Sequence, residues 1–449
     1  SSNTITVTGS GLNKSGVLVL AGHRYFGGIT LNNLTPVALT GGGSTITVSG
    51  DSVAAFRTHS GSIIDGDIAF GGSITAIASP TPAAGSLPPV LALLNGTLNG
   101  NLLFDSTVAA SASGEGAQGV VVLGGIHACS ADATAAAAAG YVCGTGTSGL
   151  GALINNGKII TVGQVFVNPA SKDPVLEGGS ALQVGASIDG GIFNGGPYTA
   201  NSVAPVGVFS GNGSNGLAVV YIDPGLAGTL AAPLHIGPIS AALDSIDSGY
   251  SFNNRGTISA APSDHQFSTV SMFVQGAAPS IFTCFGNGSS LTDCGSDGQG
   301  GLLNTGTISA NATTNATSVT TTQISASALV IGPYAAIPRI DLKAENTGLG
   351  STTPGTIFAS VSGTSGGIAT ALSISQNAVV PIINVGQGAS IKASVSTSNL
   401  TPTAEQTSPS SPFTLVATGI SDGSSTLTTI NNAGVISAAI SIVTPGLGA

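Results

Sequence analysis

One short string recurs in this chain and limits what it can fold into. It reads Ile154-Asn155-Asn156-Gly157-Lys158-Ile159, Asn253-Asn254-Arg255-Gly256-Thr257-Ile258-Ser259, Asn304-Thr305-Gly306-Thr307-Ile308-Ser309 and Asn431-Asn432-Ala433-Gly434-Val435-Ile436-Ser437. Gly355-Thr356-Ile357 repeats its second half. Gly256, Gly306 and Gly355 are nearly evenly spaced, while Gly157 and Gly434 stand further off. The spacing fits a unit of roughly 50 residues with insertions. Asn tolerates left-handed backbone and bonds its own main chain, and Gly reaches positive φ without a Cβ clash, so Asn-x-Gly marks a corner. The Thr-Ile-Ser that follows alternates polar and apolar, as a strand buried on one face does. The corner residues are therefore Asn155, Gly157, Asn254, Gly256, Asn304, Gly306, Asn432 and Gly434.

Two further repeats agree. Thr4-Ile5-Thr6-Val7-Thr8-Gly9 returns as Thr45-Ile46-Thr47-Val48-Ser49-Gly50, and a small-Ala-Leu-x-Val/Ile unit occurs at Ser180 to Val184, Ser327 to Ile331 and Thr370 to Ile374. Corner then short strand, repeated at periods of about 40 to 50, is how a chain coils into a solenoid. Helix signals are nearly absent; Ala133 to Ala139 is the one run of strong helix formers. A string of β-sandwiches would show linkers and separate cores about every 100 residues, whereas composition is uniform from Ser1 to Ala449. The sequence therefore predicts an all-β fold, a right-handed parallel β-helix running as one elongated unit over 1–449, with insertions at about 126–146 and 282–300. At roughly 20 to 25 residues per turn plus insertions, some 14 to 18 turns would make a rod of about 70 to 85 Å.

Composition narrows the function classes. Only 28 of 449 residues are charged, against roughly a quarter in ordinary soluble domains, and glycine numbers 67. No apolar run approaches the roughly 18 or more residues of a membrane-spanning helix. Nine basic residues without a cluster, in a chain of net charge −10, exclude a phosphate-binding footprint and hence nucleic acid. The four cysteines fall into two local pairs, Cys129 with Cys143 and Cys284 with Cys294, each closing a short loop rich in small residues. Paired as disulfides they place the chain outside the cell; free buried thiols are the alternative. No Cys-x-x-Cys spacing suggests zinc, and no cofactor motif is present. A chain beginning at Ser1 fits removal of a signal peptide, or trimming.

Strings such as Ser180 to Asn194 (SALQVGASIDGGIFN) and the Asn-x-Gly-x-Ile-Ser units resemble the passenger domains of bacterial autotransporters. That resemblance implies a right-handed parallel β-helix displayed outside the cell. It does not extend to the segment Thr444 to Ala449, which lacks the alternating strands and aromatic girdles of an outer-membrane barrel.

Chemistry is sparsely indicated. Gly363-Thr364-Ser365-Gly366-Gly367 matches the Gly-x-Ser-x-Gly elbow, but a Gly-rich chain produces such a match by chance and the last histidine is His265. His23, His59, His127, His235 and His265 are scattered singly, with His23-Arg24-Tyr25 the most polar aromatic cluster. Glycosidase chemistry needs two carboxyl groups across a sugar; the local pairs are Asp65 with Asp67 and Asp244 with Asp247, with Asp189 as a further acid. Asp293 to Gln299 has a calcium-loop look around Asp293 and Asp297 without the full acidic pattern. The expectation is a non-enzymatic secreted or cell-surface protein that assembles with copies of itself into a fibre or surface layer. Its weakly charged surface offers little repulsion, and its first and last strands look made to be paired. The alternative is a surface adhesin whose loops meet cell-surface glycans or outer-membrane components, and a polysaccharide-active enzyme ranks third.

Overall fold

The computed structural model describes residues 4–8, 14–31, 45–80, 83, 85–129, 149–163, 165–167, 174–176, 178–195, 207–213, 217–228, 232–261, 267–314, 324–346, 352–363, 367–397 and 414–442. Nearly every element is a strand, and the one helical piece among the described residues is the 3-10 turn Pro224–Ala227. Its start is set by Asp223, whose carboxylate accepts from the N–H of Gly225, and by Pro224 just inside.

The fold is a parallel β-helix with four faces. The chain runs along face A, turns onto B, C and D, and returns to A one rung further on. Face A holds eleven parallel strands from Thr4–Val7 to Val435–Ile442. Face B holds ten, from Ser15–Val19 to Leu415–Asp422, and face D ten, from Ile29–Leu31 to Thr429–Asn432. Face C is the shortest: four strands ending at Ile126–His127, then three from Leu234–Ile236 to Ala335–Ala336, bridged through Ile188.

Register explains why the Ile positions recur. On face A it passes without slippage through every rung, so Ile5, Ile46, Ile74, Ala110, Ile159, Phe209, Ile258, Ile308, Ile357, Ile391 and Ile436 stand in one inward column. A one-residue slip would turn this column to solvent, so burial fixes the register. Columns of this kind from the faces meet in one continuous apolar core.

The turn is longer than the sequence predicted. Even where it is tight, Thr45 meets Ser73 on the next rung, and where insertions lengthen it Lys158 meets Val208. The motif spacing of about 50 residues is itself one turn, since Thr257, Thr307 and Thr356 stand on successive rungs; the assumed 20 to 25 residues per turn was too short, and face A has eleven rungs. At about 4.8 Å per rung the stack is about 48 Å long, rather than about 70 to 85 Å. Insertions absorb the variation: hairpins pair Val165–Val167 with Pro174–Leu176 and Ala344–Asn346 with Thr352–Pro354.

Cys284 and Cys294 form a disulfide with Cα atoms 5.8 Å apart. Cys129 is described, but its expected partner Cys143 lies outside the described residues, as do Ala133 to Ala139, much of the 126–146 insertion, and Thr364 to Gly366 of the elbow string.

Candidate functional site

Three of the predicted corner asparagines stack inside the coil. Asn155 donates from Nδ2 to Asn194 Oδ1 at 2.9 Å, Asn194 to Asn254 at 2.8 Å, and Asn254 to Asn304 at 2.7 Å; Asn304 closes the run on the Thr356 carbonyl at 3.0 Å. All four are fully buried, where an unpaired amide would be costly, so the ladder is a closed hydrogen-bond account. Asn194 was not among the predicted corners; Ile192-Phe193-Asn194-Gly195 was its only signal. Below the ladder the same column holds Phe70 and Phe104, stacked with centroids 4.8 Å apart.

Asn432 does not join. Leu342 and Val385 intervene in its column, and it lies exposed on the last rung, accepting from the Gly434 N–H at 3.1 Å. The motif is the same, but Val385 stands next to it in the column where the ladder has an Asn.

The corner glycines need a different reason from the predicted one. None of Gly157, Gly256, Gly306 and Gly434 has positive φ. They are required by close approach of the preceding rung: a Cβ would lie 1.9 Å from Gly207 O at position 256 and 2.1 Å from Gly256 O at position 306.

The acid pairs separate. Asp65 is buried and bound by Arg24 and by Asn99 Nδ2 at 2.7 Å, while Asp67 accepts from the Asn101 N–H on the outside. Asp189 meets His127 Nδ1 at 3.3 Å. Asp293 accepts from Ser289 and Ser290, and these bonds, that from Ser289 first, lower its pKa to about 2. Among the described residues no group of three or more His, Cys, Asp or Glu is arranged to hold a metal.

Asp244 and Asp247 come together on one cation. Both pair with Arg255, at 2.5 and 2.8 Å, and all three are nearly buried. The two acids belong to segment 237–250, which joins faces C and D and folds back over D, where Ile239 packs on Ile154 and Phe193. One rung on, the disulfide loop leaves from the same corner, and its Gly295 sits against Pro338. Tyr250 ends the first segment, donating its hydroxyl to Asp341, which also accepts from Asn384 Nδ2 at 2.6 Å. Burial, then the bond to Asp341, raises the Tyr250 pKa. The Arg339 guanidinium lies 4.1 Å from the Tyr250 ring centroid and the Lys343 ammonium 5.3 Å.

This shelf draws together Arg255, Arg339 and Lys343, three of the nine basic residues, with Asp244, Asp247 and Asp341. Sequence reasoning named only the Asp244 and Asp247 pair. The available signal was the rarity of charge, with Arg339, Asp341 and Lys343 at alternate positions. The strands flanking the first predicted insertion, Ile126–His127 on face C and Leu153–Asn155 on face D, bracket the same corner. No known family profile matches this chain, and neither a curated protein nor a solved structure matches it.

Proposed function

We propose that this chain is a non-enzymatic extracellular rod, of the autotransporter-passenger type, that presents the loops of its C–D corner to a partner on a cell surface. The supporting observation is positional: segments 237–250 and 286–301 leave the coil at the same corner one rung apart, and the charged shelf lies between them. Insertions gathered on one side of a solenoid commonly form its binding side. The Cys284–Cys294 bond is the kind of cross-link that persists outside the cell. The non-enzymatic part rests on the acids being engaged, Asp244 and Asp247 by Arg255 and Asp65 by Arg24.

The test places bulk on the exposed loop residues Ala242 and Thr292. Labelled protein carrying Ala242→Trp and Thr292→Trp should lose binding to whole cells, whereas Ser309→Trp on face A should keep it. Equal binding by all three proteins, or equal loss, overturns the reading.

A second reading, end-to-end assembly with copies of itself, is favoured by one observation. Among the described residues nothing pairs with the outer edge of Val435–Ile442, where Ile440 and Ile442 are each 50% exposed. The first rung carries Ile5 and Val7 in the same columns as Ile436 and Ala438, so another copy could continue the register. Sedimentation should then show concentration-dependent growth that Ile440→Lys abolishes; a monomer at high concentration removes this reading.

A further inference from the structure

We infer that Arg339 and Lys343 form a site for an oxyanion carried by an extracellular polysaccharide, a uronate carboxylate or a sugar phosphate. This rests on the C–D corner being the binding side and names the ligand class it takes. The shelf holds three acids and three bases, but they are not distributed alike. Asp244, Asp247 and Asp341 are all buried and committed inward, the first two to Arg255 and the third to Tyr250 and Asn384. Two of the bases face outward. Arg339 is half-buried, lies over the Tyr250 ring, donates from Nε to the Gly300 carbonyl at 3.3 Å, and has no carboxylate partner among the described residues. Lys343 is 48% exposed, and its one acidic contact among the described residues, Asp247 at 3.7 Å, is held more closely by Arg255 at 2.8 Å.

The shelf is thus negative within and positive at its surface. Both cations border the Tyr250 ring, 4.1 and 5.3 Å from its centroid, so an oxyanion at that edge could draw on both. Stacking on Tyr250 fixes the guanidinium plane, which suits an oxyanion. Room for the ligand lies beside Lys343 in a shallow depression of about 600 Å³ lined also by Ala344, Gly386, Gln387 and Gly388. The wall is a turn closed by the Ala389 N–H on the Gly386 carbonyl, with Gly388 at φ 80°. The supporting parts come from three rungs: segment 237–250 brings Tyr250, the disulfide loop brings Gly300, and face D brings Asp341.

The probes are polygalacturonate, dextran phosphate and neutral dextran, tested against the purified chain by titration at low and high salt. Binding to one charged polymer and not to dextran is expected, weakening with salt, and the preferred polymer identifies carboxylate or phosphate. The double variant R339Q/K343Q should bind at least tenfold more weakly. Gln387→Glu, an exposed change that puts a negative charge in the depression without touching the shelf, should weaken binding likewise. Lys158→Gln, exposed on face A, should have no effect. Failure to bind either charged polymer, or an equal loss with Lys158→Gln, overturns the site. On whole cells the two proposals separate: if the Ala242→Trp and Thr292→Trp protein loses binding while R339Q/K343Q does not, the oxyanion site fails and the loop-side reading stands. If both bind as the parent does, both fail.

Discussion

Replacing Asn254 by Ala tests whether the interior amide ladder holds the middle of the coil. The side chain is fully buried; its Nδ2 donates to Asn304 at 2.7 Å and to the Thr307 carbonyl at 3.2 Å, and its Oδ1 accepts from Asn194 at 2.8 Å. Alanine removes all three bonds and takes the amide partner from Asn194 on one side and Asn304 on the other. Each buried polar group left without its partner costs about 1 to 3 kcal/mol, so the two amides together give an expected loss of about 2 to 6 kcal/mol. That corresponds to a rise in local opening of roughly 30-fold or more, up to about 10,000-fold. A long solenoid need not unfold in one step, so a global melting temperature is a poor readout. Hydrogen exchange of the amides in Phe252–Asn254 and Leu302–Asn304 reads the local loss. Asn432→Ala is the matched control: it keeps the motif but lies exposed with one local bond to Gly434. If Asn254→Ala opens its rungs no more than Asn432→Ala opens its own, the ladder argument is wrong.

Gly306→Ala should disrupt the coil despite an ordinary backbone angle, because its Cβ would meet the Gly256 carbonyl oxygen at 2.1 Å and backbone cannot yield as a side chain can; circular dichroism and proteolysis should show a loosened centre. Cys284→Ser with Cys294→Ser removes a cross-link spanning 10 residues, worth about 3 kcal/mol in the chain-entropy picture, and should expose the loop to proteases while distant rungs remain protected. Burial lowers the His235 pKa below its ordinary 6.5. The unfolded chain then binds the proton more readily, so this contribution is complete above about pH 6.5 and is lost as pH falls through the folded value. Stability measured from about pH 8 to 5 should fall less steeply in His235→Phe.

Residue order alone dictates the local grammar of this protein. Thr-Ile-Thr and Thr-Ile-Ser strings alternate at strand period whatever surrounds them, Asn-x-Gly turns the chain, and Cys284 and Cys294 lie close enough in sequence to find each other. These are properties of a few adjacent residues, so the parallel coil and one cross-link were legible. Whatever depends on the rung above or below came only with the stacked coil. The spacing of Gly256, Gly306 and Gly355 is one rung, but only the stacked coil showed that a rung runs over four faces, because a local string does not say how many strands separate its copies. Asn155, Asn254 and Asn304 became a ladder and Asn432 did not, since an amide pairs across rungs only where the stacked neighbour offers a polar partner, and Asn432 stacks on Val385. Gly256 and Gly306 proved necessary for spacing rather than for φ, because the clash is with the backbone of the preceding rung. Tyr250, Arg339, Asp341 and Lys343 formed a shelf for the same reason: residues distant along the chain become neighbours only when stacked rungs place them at one corner.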